Sequence, residues 1–266
     1  MTSVVSFRAR HVLIAMGLVL TFLDNASAAP NTITVQDPRP VAKAIQELEN
    51  RYGWQITYED PPYIHYSVLA DVTNSPWPGV PVQSLSQLQA VQRSKQDRLV
   101  PKGGSLTFTL PSADPNELGA VEALLKSYNE SHSGIEFAVV QGAAGGLLHV
   151  VPRQARGLSG ELEPVKPVLD TAITVEPKER TAYALIEEVC KKLSISTNTV
   201  VGMSSVPVNM LKQRKTSIGG FGKTARSILE QWVLESGDTL SWRLVYWPNM
   251  KMYALNIFGV DSIKKQ

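Results

Sequence analysis

KTSIGGFGKTARSILEQWVLESGDTLSWRLVYWPNMKMYALNIF, residues Lys215 to Phe258, carries in one run the plan that the rest of the chain repeats. Lys215 to Ile218 reads as a short strand, followed by a glycine turn and a helix with Ile228, Leu229, Trp232 and Val233 on one face. Gly237 stops the helix. Leu240 to Trp247 and Lys251 to Phe258 then read as a β-hairpin turning at Pro248-Asn249, because helical periodicity gives way there to aromatic and β-branched composition. A helix of about three turns is marginal in water on its own, so its apolar stripe needs the hairpin face as cover. The unit is therefore a helix on a small sheet.

The same order recurs upstream. Thr32 to Val35 alternates as a strand, Asp37-Pro38-Arg39-Pro40 opens a helix with Val41, Ile45, Leu48 and Tyr52 on one face, Gly53 caps it, and Trp54 to Tyr58 reads as a second strand. Ser105 to Leu110 is a further strand, and Asp114-Pro115 starts a helix bearing Leu118, Val121, Leu125 and Tyr128. Ile135 to Val140 and Leu147 to Val151 make a hairpin across a glycine-rich turn. After Arg153 to Pro167, which reads as a linker, Ile173-Thr174-Val175 begins the order again. A helix face of Ala182, Leu185, Ile186, Val189 and Leu193 follows, then a strand at Thr199 to Val201. The expected fold is α+β: two tandem modules, each strand-helix-strand then strand-helix-hairpin, with helices packed on one side of a sheet. Module one spans 29–152 with an insertion at 60–104, the linker 153–170, and module two 171–266.

Met1 to Ala28 has the pattern of a secretory signal peptide: Arg8 and Arg10, the apolar run Val12 to Leu23, and Ala26-Ser27-Ala28 at the cleavage site. The run is too short for a membrane-spanning helix, which wants about twenty apolar residues. The expectation is an exported, periplasmic protein that does not span the membrane after cleavage. The segment contains two Arg and one Asp, so the formal net charge falls from +2 to +1 on its removal. A nearly neutral chain without a basic block argues against nucleic acid as partner. A single cysteine, Cys190, excludes an intrachain disulfide framework and reads as a small buried hydrophobe.

The order strand-helix-strand followed by strand-helix-hairpin, seen twice and echoed in Ile33-Thr34-Val35-Gln36-Asp37-Pro38 and Ile173-Thr174-Val175-Glu176-Pro177, resembles the secretin and TonB short N-terminal domain. The resemblance covers nearly the whole mature chain in two copies. It implies an exposed periplasmic module that works by protein contact. No outer-membrane barrel or secretin channel follows, which departs from the usual context of that family.

Several constellations suggest chemistry. Ser217 to Thr224 is one glycine short of a phosphate-binding P-loop, since Ser217 stands where the motif needs glycine; the expectation is no nucleotide, with Thr224 capping the helix. His65, His132 and His149 have no metal-ligand spacing, so no cofactor or metal is expected, and His149 reads as an edge or partly buried histidine. The proline-punctuated insertion, with a helical piece at Ser84 to Gln96, opens on a cluster of Tyr58, Glu59, Asp60, Tyr63, His65, Tyr66 and Trp77. Glu59, Asp60 and His65 suit a cell-wall or glycan-active enzyme, but adjacent carboxylates on a strand end point to opposite faces, which is poor for a catalytic pair. The preferred expectation is a non-enzymatic envelope component that recognises an envelope protein partner through Tyr63, His65, Tyr66 and Trp77 and through open sheet edges. A purely structural subunit of an envelope assembly is the third reading.

Overall fold

The computed structural model describes residues 31–73, 98–143 and 145–260. The segment read as a signal peptide, the helical piece expected at Ser84 to Gln96 and Trp77 lie outside the described residues. The fold is mixed, 33% helix and 36% strand, with helices packed against sheets, so neither element type builds the core alone.

The first half contains β1 (Thr32–Asp37), α1 (Pro40–Tyr52), β2 (Ile56–Glu59), the ribbon strands β3 (Leu69–Asp71) and β4 (Leu99–Pro101), then β5 (Gly104–Thr109), α2 (Glu117–Ser131), β6 (Ile135–Gln141) and β7 (Leu148–Arg156). β8 (Leu162–Pro164) follows. The second half contains β9 (Ala172–Val175), β10 (Arg180–Thr181), α3 (Ala182–Thr197), β11 (Val200–Met203), the short α4 (Val208–Gln213), β12 (Lys215–Thr216), β13 (Gly220–Thr224), α5 (Ala225–Ser236), β14 (Leu240–Trp247) and β15 (Met252–Gly259). The glycines after Ile218 are thus not a plain turn. Gly220 and Gly222 belong to β13, which bulges against β9 between Gly220 and Lys223, and Gly222 takes φ +66°.

The pairings repeat along with the order. β1 pairs antiparallel with β5 as β9 does with β13, and β2 pairs parallel with β7 as β11 does with β15. β6–β7 and β14–β15 are the matching antiparallel hairpins. The halves do not stand apart, however. β14 pairs in parallel with β2, Arg243 opposite Tyr58 and Leu244 opposite Glu59, and this joins them in one seven-stranded sheet of order β11-β15-β14-β2-β7-β6 with β8 on β7.

That junction corrects the linker. Arg153 to Arg156 extend β7, Leu162–Pro164 pair with them as β8, and Val168–Asp170 form a 3-10 turn whose Leu169 is fully buried. Low apolar periodicity marks this stretch because its backbone, more than its side chains, makes the contacts. β2 is buried at all four positions although it reads Ile-Thr-Tyr-Glu. Alternate residues face opposite sides of a strand. Tyr58 faces Phe137, which meets Tyr128 of α2, whereas Thr57 and Glu59 reach His149 and Arg226 of α5. Each half covers one face of this strand.

The helix ends follow local chemistry. α1 has Pro at its start and Gly53 at φ 68° as its C-cap; Asn116, Thr181 and Thr224 cap α2, α3 and α5 by accepting backbone N–H bonds. The α2 cap is Asn116, so the helix starts two residues after the expected Asp114-Pro115. Ile45, Leu48, Leu125, Leu185 and Leu229 are all buried, and burial pushes the Cys190 thiol up to about 12, followed by the charge of Glu187. His149 is a further correction. It is fully buried rather than near an edge, because β7 is flanked by β2 and β6.

Candidate functional site

β2 ends at Glu59, and Asp60-Pro61-Pro62 turns the chain out of the sheet because proline has no N–H to give a ladder. Asp60 then becomes a hub. Its Oδ2 accepts from Arg39 Nε at 2.6 Å and from the Tyr246 N–H at 2.8 Å; its Oδ1 accepts from the Tyr58 hydroxyl at 2.6 Å and the Tyr63 hydroxyl at 3.0 Å. Four donors saturate a carboxylate. Burial, and then the Asp60 charge, raises both phenols well above their ordinary range. Tyr63 is only 5% exposed, so this ring belongs to the core and not to an outward contact surface.

Glu59 points the other way. Its Oε1 accepts from the Val168 and Leu169 N–H groups, and its Oε2 from Arg226 Nη2 at 2.7 Å. Arg226 Nε donates to Asp170 at 2.7 Å, so the charge of α5 holds both β2 and the turn between the halves. Burial raises the Glu59 carboxyl to about 6, with Arg226 opposing the rise. Both carboxylates of the expected cluster are fully buried, with four donors on Asp60 and three on Glu59.

The cleft lies beyond Tyr63. His65 begins a 3-10 turn, Tyr66–Val68, with its Nδ1 accepting from the Ser67 N–H at 3.2 Å. Tyr66, 81% exposed, sets its ring 4.4 Å from that of His65. The ribbon β3–β4 supports the turn, and the Lys102 N–H donates to the Val68 carbonyl at 2.8 Å. Opposite stands the end of α2. There His132 stacks on Tyr128 at 4.4 Å with planes 10° apart, and burial holds its imidazole below the usual value. Two glycines allow the walls to approach: a Cβ on Gly134 would lie 2.5 Å from Val68 Cγ1, and one on Gly103, at φ +46°, 2.3 Å from the Asp37 carbonyl oxygen. The space of the cleft is about 450 Å³, lined by Tyr63, His65, Tyr66, Lys102, His132 and Arg156 among others.

Of the expected site residues, Tyr63, His65 and Tyr66 line this cleft; Glu59 and Asp60 do not, and Trp77 lies outside the described residues. Sequence reasoning missed Lys102, Tyr128, His132 and Arg156 as members. They come from β4–β5, α2 and β7, and no spacing in the chain links them to His65. Among the described residues no group of three or more His, Cys, Asp or Glu can hold a metal ion, and no helix is long and apolar enough to cross a membrane.

The outer edges of the large sheet are each blocked at one point. Asn129 of α2 accepts from the Phe137 N–H at 3.1 Å and donates to its carbonyl at 2.9 Å. On the far edge the Ser194 hydroxyl of α3 accepts from the Val201 N–H at 2.9 Å and lies 3.2 Å from the Val201 carbonyl. A side chain thus occupies the outward backbone groups that strand addition would use.

No family model matches the chain, and no curated protein or solved structure matches it either.

Proposed function

We propose that this chain is an exported, periplasmic, non-enzymatic binding component of the bacterial envelope. It is built from two modules like the secretin and TonB short N-terminal domain, and its contact face is the cleft flanked by His65 and Tyr66. The observation that carries the reading is the division of labour around β2. The acidic residues an enzyme would need, Glu59 and Asp60, are consumed in holding the fold, whereas an exposed ring and two histidines stand at an open cleft. Tyrosine is a frequent interface anchor because a large rigid ring gains contact at small entropy cost. With each outer edge of the large sheet blocked at one point, contact through the cleft is favoured over strand addition there.

A photo-crosslinking residue at Tyr66, compared with one at the equally exposed Leu158, tests this in intact cells. A discrete adduct at position 66 that is absent at 158 and lost with His65→Ala is expected. Equal labelling at both positions sinks the cleft as the contact face. N-terminal sequencing of the exported protein, expected to begin at Ala29, tests the compartment.

A further inference from the structure

The cleft has an unbalanced charge. Its lining includes Arg39, Lys102 and Arg156 but no aspartate or glutamate. Arg39 is neutralised by Asp60 at 2.6 Å. Arg156 is held by neutral acceptors: its Nη1 donates to the Gly160 carbonyl and its Nη2 to the Ser133 carbonyl at 3.0 Å, which fixes the guanidinium without cancelling its charge. Among the described residues neither Lys102 nor Arg156 forms an ion pair, and Lys102 is exposed. The lining also contains apolar and aromatic side chains, Val41, Val68, Tyr128 and Phe137 among them.

We infer that the cleft binds a carboxylate carried on an aromatic or aliphatic body, with Lys102 and Arg156 receiving the carboxylate and the apolar and aromatic lining receiving the body. The inference rests on the binding reading above and specifies its chemistry. A metal cation is disfavoured because the cations present repel it and no carboxylate is free to ligate it. A neutral apolar ligand would leave the two charges unanswered. The space, about 450 Å³, is of the size that small-molecule sites use, roughly 300–1,000 Å³. It suits a free organic acid or the C-terminal residues of a peptide.

Calorimetry on the purified mature chain separates these cases. The probes are phenylacetate against phenylacetamide, and acetyl-Ala-Phe with a free against an amidated C-terminus. The acid should bind at least about tenfold more tightly than its amide, a difference of about 1.4 kcal/mol. Lys102→Gln should erase most of that preference, Lys166→Gln should not, and an unchanged thermal midpoint certifies each fold. Preference in the first pair alone assigns a free acid, and preference in the second alone a chain terminus; both outcomes support the inference. Equal affinity for acid and amide, absence of binding by all four probes, or a preference that survives Lys102→Gln overturns it. Tyr66 crosslinking that persists after such a failure keeps the contact face and rejects only the carboxylate.

Discussion

Arg226 and Glu59, 167 residues apart in the chain, meet at 2.7 Å inside the protein, the guanidinium 9% and the carboxylate 0% exposed. One belongs to the first helical turn of α5 and the other to the last position of β2, so this contact fastens the two halves. A buried pair of this kind is weak evidence for net stabilisation, because desolvating two charges offsets their attraction. Removing one partner is another matter. Arg226→Ala should destabilise by about 3–5 kcal/mol, since it strands a buried carboxylate. In a double-mutant cycle with Glu59→Gln the two losses should fall well short of additive. Chemical denaturation reads both, and simple additivity would mean the halves are not coupled here.

Leu229 lies on the buried face of α5 and is 1% exposed. Leu229→Ala should cost about 2–5 kcal/mol, the usual range for a core cavity. A loss under about 0.5 kcal/mol would be the behaviour of a surface position and would refute the packing of this helix.

His149 sits between β2 and α5. Its Nδ1 lies 2.7 Å from the Thr57 hydroxyl and its Nε2 3.8 Å from Glu230, with the charge of Arg226 also acting on it. Burial first, and Arg226 second, lowers its pKa from 6.5 to about 3. A depressed value in the fold means the unfolded chain takes up the proton first, so stability present above about 6.5 is lost as pH falls toward 3. Glu59, raised to about 6, and Glu49, raised to about 7, run the opposite way and favour the fold as they protonate down to about 4.5. Below that the histidine acts without their opposition, with a slope of up to about 1.4 kcal/mol per pH unit. Denaturation midpoints from pH 3 to 7 should show a flatter acid limb in His149→Gln than in the parent. Identical limbs would show that the ring protonates freely in the fold.

Tyr63 and Tyr66 are three residues apart and should behave as opposites. Tyr63→Ala removes a buried ring and a donor to Asp60, at about 3–5 kcal/mol by analogy with aromatic truncation in cores. Tyr66→Ala should leave the thermal midpoint within error and reduce partner capture at the cleft. Loss of stability in both would make the turn a packing element and remove it as a contact surface.

Asn129→Ala frees the Phe137 backbone groups at one sheet edge, and Ser194→Ala does the same for Val201 at the other. Uncovered edges template strand pairing between chains. Light scattering should therefore show more self-association in either variant than in the parent. No change would mean the edges are protected by something other than these two side chains.

Much of this architecture follows from local chemistry. The helix faces, the Gly53 and Thr224 caps and the Pro248-Asn249 hairpin are legible because period, cap and turn residues act over a few positions. The tandem reading is compatible with the strand pairings that recur in the two halves. Tertiary structure alone decided what joins the halves. Glu59 read as part of a contact cluster and His149 as an edge or partly buried histidine, since nothing nearby in the chain announces that β14 will pair with β2 or that α5 will cover its second face. The cleft was half legible: the aromatic cluster around His65 stands out in sequence, whereas Lys102, His132 and Arg156 reach it from separate elements. A periodic pattern specifies which face of an element seeks cover. Which distant element supplies that cover is set by long-range pairing and by the buried charges that only the assembled sheet brings together.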